Sequence, residues 1–91
     1  MNRISTGTLK CVVLTGKRDL VLATLQERIS PDNIRQCDAA LLVHSELEPA
    51  DLRDWLSGAL GEGQSLLVFE FEKWSGYGGE IDREWLLERG H

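Results

Sequence analysis

The sequence predicts an α+β sandwich in which one antiparallel sheet carries two helices on one face. Two observations favour this class. Segments 8–15 and 40–45 are apolar on both alternating sides, which is typical of strands in the middle of a sheet. Segments with strand and helix periodicity also follow one another in the order βαββαβ, and a short apolar segment comes last. With 91 residues, the chain has room for one small domain, 1–91.

The first half of the chain begins with a polar lead-in, residues 1–7. The first strand, 8–15, is rich in β-branched residues and ends at Gly16. Residues 17–30 then carry an apolar stripe at positions i, i+3 and i+7, which predicts a helix. The stripe consists of Leu22, Leu25 and Ile29. Pro31 ends this helix because proline excludes the helical conformation from the residue before it.

Two strands follow in the middle of the sequence. Residues 33–37 are short and polar, which suggests a strand at a sheet edge. The stretch CDAA at 37–40 predicts a tight hairpin turn with Asp38 as its turn residue. Residues 40–45 then form the second two-sided apolar strand.

The second helix has the clearest start and stop signals. Pro49 suits the first helical position, and Leu47 can pack on Leu52 as a hydrophobic staple. The glycines in GEG, 61–63, end the helix. Its apolar stripe consists of Leu52, Trp55, Leu56, Ala59 and Leu60.

The last strand is predicted at 64–71, and a terminal helix at 80–90. Leu67, Phe69 and Phe71 share one face of that strand. In the terminal helix, Ile81, Trp85 and Leu86 or Leu87 are expected to pack onto the body of the domain. This order of elements predicts a ferredoxin-like sandwich. Its second sheet face lacks helices in this prediction, so a second copy of the chain is its simplest cover.

Composition excludes several functions. The chain has 15 acidic against 10 basic residues and a net charge of −5, which disfavours nucleic-acid binding. Cys11 and Cys37 lack the spacing of a zinc site or a disulfide framework, and no cofactor is indicated. Apolar runs are far shorter than the ~20 residues that cross a bilayer. Because the N-terminus is polar and shows no signal peptide, a cytoplasmic protein without membrane contact is expected.

Two loops are candidate binding sites. TGK at 15–17 resembles the end of a phosphate-binding loop, but Cys11 and Arg18 stand where that motif needs glycine and Ser or Thr. Lys17 and Arg18 still lie where a helix N-terminus can hold an anion. In the glycine-rich loop SGYGG, Trp74 and Tyr77 are the aromatic candidates for stacking, and packing over the sheet end is the favoured interpretation.

Four carboxylates are candidate metal ligands if they converge: Asp19, Asp38, Glu70 and Glu72. The favoured interpretation of Glu70 and Glu72 is a solvated strand face whose charges discourage edge-to-edge aggregation. His44 ends a buried strand, and a structural role is favoured for it. No metal site is predicted.

One segment, LLVHSELEPADLRDWLSGALGEGQSLLVFEFEKWSGYG at 41–78, resembles the C-terminal half of the small SinR-like proteins. These are related to the CRISPR-associated adaptation nuclease-like family. The shared pattern is a strand ending in LV, an extended xLxP, an amphipathic helix, a small polar turn, then LLV and a loop with Trp. The resemblance implies a ferredoxin-like homodimer.

The nuclease branch of that family holds a metal with a carboxylate at the end of the first strand. This chain reads LTGKR there, and Asp19 comes several residues later. The resemblance therefore implies fold and dimerisation rather than catalysis. The leading hypothesis is a homodimeric interaction or assembly protein, with a possible protein partner. The alternatives are a divergent metal-dependent nuclease that uses Asp19 and Asp38, and a dimer that senses a small ligand.

Overall fold

A computed structural model describes residues 7–37, 40–75 and 82–91 of the chain. Strands and helices alternate in the predicted order. The elements are β1 (Thr8–Leu14), α1 (Asp19–Gln26), β2 (Ile34–Gln36), β3 (Ala40–Ser45), α2 (Pro49–Ser57), β4 (Leu66–Phe71) and α3 (Arg83–Glu88). A 3-10 turn, Pro31–Asn33, joins α1 to β2.

The four strands form one antiparallel sheet in the order β2-β3-β1-β4. The two strands predicted to be central, β1 and β3, are central. Val12 of β1 lies opposite Leu41 on one side and Val68 on the other. The α+β class is therefore confirmed, and the strand order fits a ferredoxin-like arrangement.

Two boundaries show how local hydrogen bonds shape the chain. α1 is shorter than the predicted 17–30, because the amides of Glu27 and Arg28 bond to carbonyls three residues back and tighten the last turn. The β2–β3 hairpin closes as predicted at 37–40, where Cys37 and Ala40 exchange two backbone hydrogen bonds of 2.8 and 3.2 Å. Its predicted turn residue, Asp38, lies outside the described residues.

The main core lies between the sheet and the helices α1 and α2. Both predicted helical stripes contribute to it, and Leu22 and Ile29 pack at its border. The buried members are Val12, Val21, Leu25, Ile34, Leu41, Val43, Leu52 and Leu56. Each such side chain contributes at most about 1.5–3 kcal/mol through burial, so this layer supplies most of the stability.

The opposite face of the sheet carries α3. Leu9 of β1 packs there with Trp85 and Leu86 of α3, and Leu42 and Trp74 border this second cluster. The prediction that this face lacks helices is corrected, because Trp85 needs a buried place and the sheet offers one beside β3 and β1. The apolar area left uncovered is therefore smaller than predicted.

No helix within residues 7–37, 40–75 and 82–91 has the length and apolar character needed to span a bilayer.

Candidate interaction surface

A row of apolar side chains on β4 lies outside both cores. Leu67, Phe69 and Phe71 are 60%, 46% and 38% exposed. They alternate with residues whose side chains point toward α1 and α2, so they share the face that carries α3. On the neighbouring strand β1, half-buried Val13 and Cys11 lie opposite Leu67 and Phe69. We call these five residues the apolar strip.

The strip is contiguous rather than a scatter of single residues. The rings of Phe69 and Phe71 stack with centroids 6.2 Å apart and planes 28° from parallel. Beyond β1, the next residues on this face are Ala40 and Leu42 of β3, which are also apolar. Single exposed apolar residues are normal on a protein surface, whereas a contiguous uncharged row is typical of an interaction site.

The other side of the same face is closed by α3 through Trp85. Its indole Nε1 donates to the carbonyl oxygen of Asp32. The guanidinium groups of Arg35 and Arg89 lie 5.2 and 4.9 Å from the ring centre, which adds cation–π attraction. Arg89 also donates to Asn33 Oδ1 at 2.9 Å. This part of the face is therefore occupied by the chain itself.

The start of α3 is held by a local cap. Asp82 accepts a hydrogen bond from the Trp85 amide at 3.0 Å and pairs with Arg35 at 3.2 Å. The backbone hydrogen bond from Trp85 and the nearby Arg35 guanidinium hold the pKa of Asp82 below its ordinary value. Arg35 of β2 thus bonds to the N-cap residue of α3.

The end of α3 is tied to β3 by two histidines. His44 Nδ1 and His91 Nε2 lie 2.8 Å apart, a hydrogen-bond distance at which one ring donates and the other accepts. Burial lowers the pKa of both histidines, and the charges of Arg89 and Lys10 lower it further. The His44 pKa is also lowered by His91 itself. The structural role predicted for His44 therefore has a defined partner in the structure.

Lys10 is a buried cation that the sequence analysis missed, at 1% exposure. Its ammonium donates to the Ser45 carbonyl at 2.6 Å and to Thr8 Oγ1, and it lies 3.6 Å from the Glu70 carboxylate. The alternating pattern of β1 does indicate which way the Lys10 side chain points, because Lys10 shares the strand face of Val12. The pairing with Glu70 requires the β1–β4 register, which composition does not reveal.

The two cations predicted near the first helix differ in position. Lys17 is exposed, whereas Arg18 Nη1 donates to the carbonyls of Cys37 at 2.6 Å and Ala40 at 3.3 Å. The carbonyl of Lys17 accepts from Gln64 Nε2 at 2.8 Å. Arg18 therefore holds the β2–β3 hairpin against the start of α1.

The predicted metal ligands do not come together where the structure describes them. Asp19 is the exposed first residue of α1, and Asp38 lies outside the described residues. Glu70 and Glu72 are exposed at β4, and Glu70 pairs with Lys10. Within the described segments, no group of three or more His, Cys, Asp or Glu side chains is placed to hold a metal ion.

The aromatic candidates of the glycine-rich loop are described in part. Trp74 packs beside the α3 cluster, over the end of the sheet, and Tyr77 lies outside the described residues. Trp74 also borders an apolar recess of about 260 Å³ between α3 and the end of β4, together with Phe71 and Leu86. Since the charge around Trp74 is mixed, this geometry gives no signal for nucleic-acid stacking.

A polar cleft of about 310 Å³ lies where β3 ends, at the same end of the sheet as Phe71. Its lining includes Arg28, Ser30, Asn33, His44 and Glu46. The Arg28 guanidinium lies 5.0 Å from the Trp55 ring, which holds it at the cleft border. This mixture of donors and acceptors suits a small polar ligand better than an apolar one.

Comparisons with protein-family models, with curated proteins and with solved structures find no match to this chain.

Proposed function

We propose that the protein is a small assembly or interaction protein that works as a homodimer whose copies meet at the apolar strip. The observation that carries this proposal is the exposure of Leu67, Phe69 and Phe71 in one contiguous row. Helix α3 covers the other half of the same sheet face, so the row forms a separate exposed surface.

Charge supports a contact at this place. Two copies that each carry a net charge of −5 repel one another, so an attractive contact needs an uncharged surface. The strip residues and their neighbours Ala40 and Leu42 carry no charge. A symmetric dimer brings the same patch of both copies together, so each apolar residue of the strip takes part in the contact twice, once from each copy.

Sedimentation equilibrium over a micromolar range tests the proposal. The wild type is expected to dimerise, and Phe69→Glu and Leu67→Glu are expected to weaken the dimer at least ~100-fold, because each dimer then brings two like charges into the contact. The matched control is Leu20→Glu, since Leu20 is 66% exposed on α1, away from the strip. A wild type that stays monomeric, or a control that weakens the dimer equally, contradicts the proposal.

The polar cleft favours the ligand-sensing alternative as a second candidate function. A panel of small polar metabolites in a thermal-unfolding assay tests it, with Arg28→Met as the variant and Arg53→Met as an exposed control on α2. A rise in melting temperature for the wild type and the control, but not for Arg28→Met, would support ligand binding.

The nuclease alternative and the SinR-like resemblance stay predictions. Asp19 is the described carboxylate that the nuclease hypothesis uses, and it is exposed without a described neighbour group for metal binding. Degradation of RNA or DNA with magnesium or manganese, lost in Asp19→Ala, would replace the assembly proposal.

A further inference from the structure

β4 is an outer strand of the sheet, and its hydrogen-bonding direction follows from one contact. The Thr15 amide donates to the Ser65 carbonyl at 3.1 Å, and these residues continue the β1–β4 register. In an antiparallel pair, opposite residues alternate between pairs that exchange hydrogen bonds and pairs that do not. Leu67, Phe69 and Phe71 therefore direct their backbone groups toward β1.

The alternate residues of β4 direct their backbone N–H and C=O groups away from the sheet. These residues are Leu66, Val68 and Glu70. Such an edge is a template for a further strand. The other outer strand, β2, is only three residues long, and its Arg35 side chain bonds to Asp82 of the segment that starts α3. β4 is therefore the better edge for pairing with another chain.

The sequence of β4 fits its own antiparallel copy in one register. Only pairings that place outward-directed residues opposite each other can form hydrogen bonds, so the symmetry axis passes at a residue and not between two residues. Val68 and Phe69 are the two residues at the middle of β4, where an axis gives the longest pairing. An axis at Phe69 places Phe69 opposite Phe69 of the second copy and Leu67 opposite Phe71. An axis at Val68 instead places Phe71 opposite Ser65, which leaves one aromatic ring without an apolar partner.

We infer that two copies join their β4 edges antiparallel about Phe69, so that two four-stranded sheets become one sheet of eight strands. This inference rests on the proposed homodimer and adds its geometry. Aromatic and aliphatic cross-strand pairs then form at the centre of the strip, where they stabilise sheet pairing.

The charges of β4 are compatible with this register. Glu70 lies opposite Val68 of the second copy rather than opposite another glutamate. Its carboxylate lies 3.6 Å from Lys10 in its own chain, so the negative charge is partly balanced before the copies meet. Like charges directly opposite each other would destabilise the pair, and this register avoids them.

Hydrogen exchange of the unmodified protein tests the geometry. The protein concentration is raised from well below to well above the dimer dissociation constant. Hydrogen exchange of the Val68 and Glu70 amides should then slow at least ~10-fold. The amides of Leu67 and Phe69 serve as internal controls, because they already bond to β1. A dimer in which Val68 and Glu70 stay unprotected overturns edge pairing alone, whereas a protein that never dimerises overturns the proposed function too.

A disulfide test fixes the register in a background with Cys11→Ala and Cys37→Ala. Phe69→Cys should crosslink with itself, because non-hydrogen-bonded opposite residues have Cα atoms about 4.5 Å apart, within disulfide range. Glutathione disulfide is the oxidant: two thiols lose two protons and two electrons to it, and it becomes two glutathione thiols. Leu67→Cys alone should not crosslink, since its two copies are about 14 Å apart, four residues along the strand.

Mixing Leu67→Cys with Phe71→Cys should restore crosslinking, because these positions are opposite each other in the Phe69 register. Equal crosslinking of Leu67→Cys and Phe69→Cys with themselves would contradict the register. If Phe69→Cys weakens the dimer, crosslinking between Leu67→Cys and Phe71→Cys still identifies the register.

Discussion

The two outer strands of the sheet differ in how much of their surface the chain itself covers. β2 is short, and its Arg35 lies against Trp85 of α3 and pairs with Asp82. β4 is twice as long, and its Leu67 and Phe69 contact no covering element among the described parts of the chain. Helix α3 thus covers this sheet face near β2, whereas the face stays apolar and exposed at β4.

This difference separates the residues that stabilise the fold from the residues that join two copies. Residues near β2 are expected to affect folding, since their contacts lie within the chain and include the buried Trp85. Residues on β4 are expected to affect folding little and association strongly, since their side chains are exposed in a single copy.

The largest expected effect is at Trp85. Trp85→Ala removes a buried indole from the α3 contact and should lower the free energy of unfolding by about 3–5 kcal/mol. Urea unfolding followed by circular dichroism measures it. Trp85→Phe, which keeps a ring but loses the hydrogen bond to Asp32, should cost less. A loss below ~1 kcal/mol for Trp85→Ala would show that α3 is not required for the fold.

A middle-sized effect is expected at the ion pair between buried Lys10 and exposed Glu70. Glu70→Gln leaves the Lys10 ammonium buried without its carboxylate and should lower the unfolding free energy by about 1–3 kcal/mol. Glu72→Gln is the matched control just beyond the end of β4, because Glu72 is exposed and has no described ion pair. Equal effects of the two substitutions in urea unfolding would contradict a stabilising role for the pair.

A smaller effect on folding is expected at β4. Phe69→Ala should change the unfolding free energy of the monomer by less than ~1 kcal/mol, because almost half of the side chain is already in water. Urea unfolding at concentrations below dimerisation measures this, with Val12→Ala on β1 as the buried comparison. If Phe69→Ala destabilises the monomer as much as Val12→Ala, the division between the two edges is wrong.

Sequence reasoning predicted much of the fold and less of the surface. Two-sided apolar strands and helical stripes predicted the element order and the central pair, because burial leaves a periodic trace in the chain. Three other features join residues that are far apart in sequence. They are the packing of Trp85 on the second face, the pairing of Lys10 with Glu70, and the contact between His44 and His91. Such contacts depend on register and packing, which local patterns do not encode. The alternation of Leu67, Phe69 and Phe71 was visible, but their exposure was not.

The smallest expected effect concerns His44 of β3 and His91, which follows α3. Both have a folded-state pKa below the ordinary 6.5, so the unfolded chain binds protons more strongly than the folded one. Stability is then complete above about pH 7 and declines as the pH falls through the unfolded-state pKa, until the folded-state pKa is passed. Urea unfolding at several pH values between 5 and 8 measures this decline. His91→Gln should flatten it, since the hydrogen bond between the rings and one lowered pKa are lost. An unchanged pH profile in this variant would show that the contact between His44 and His91 does not hold α3 in solution.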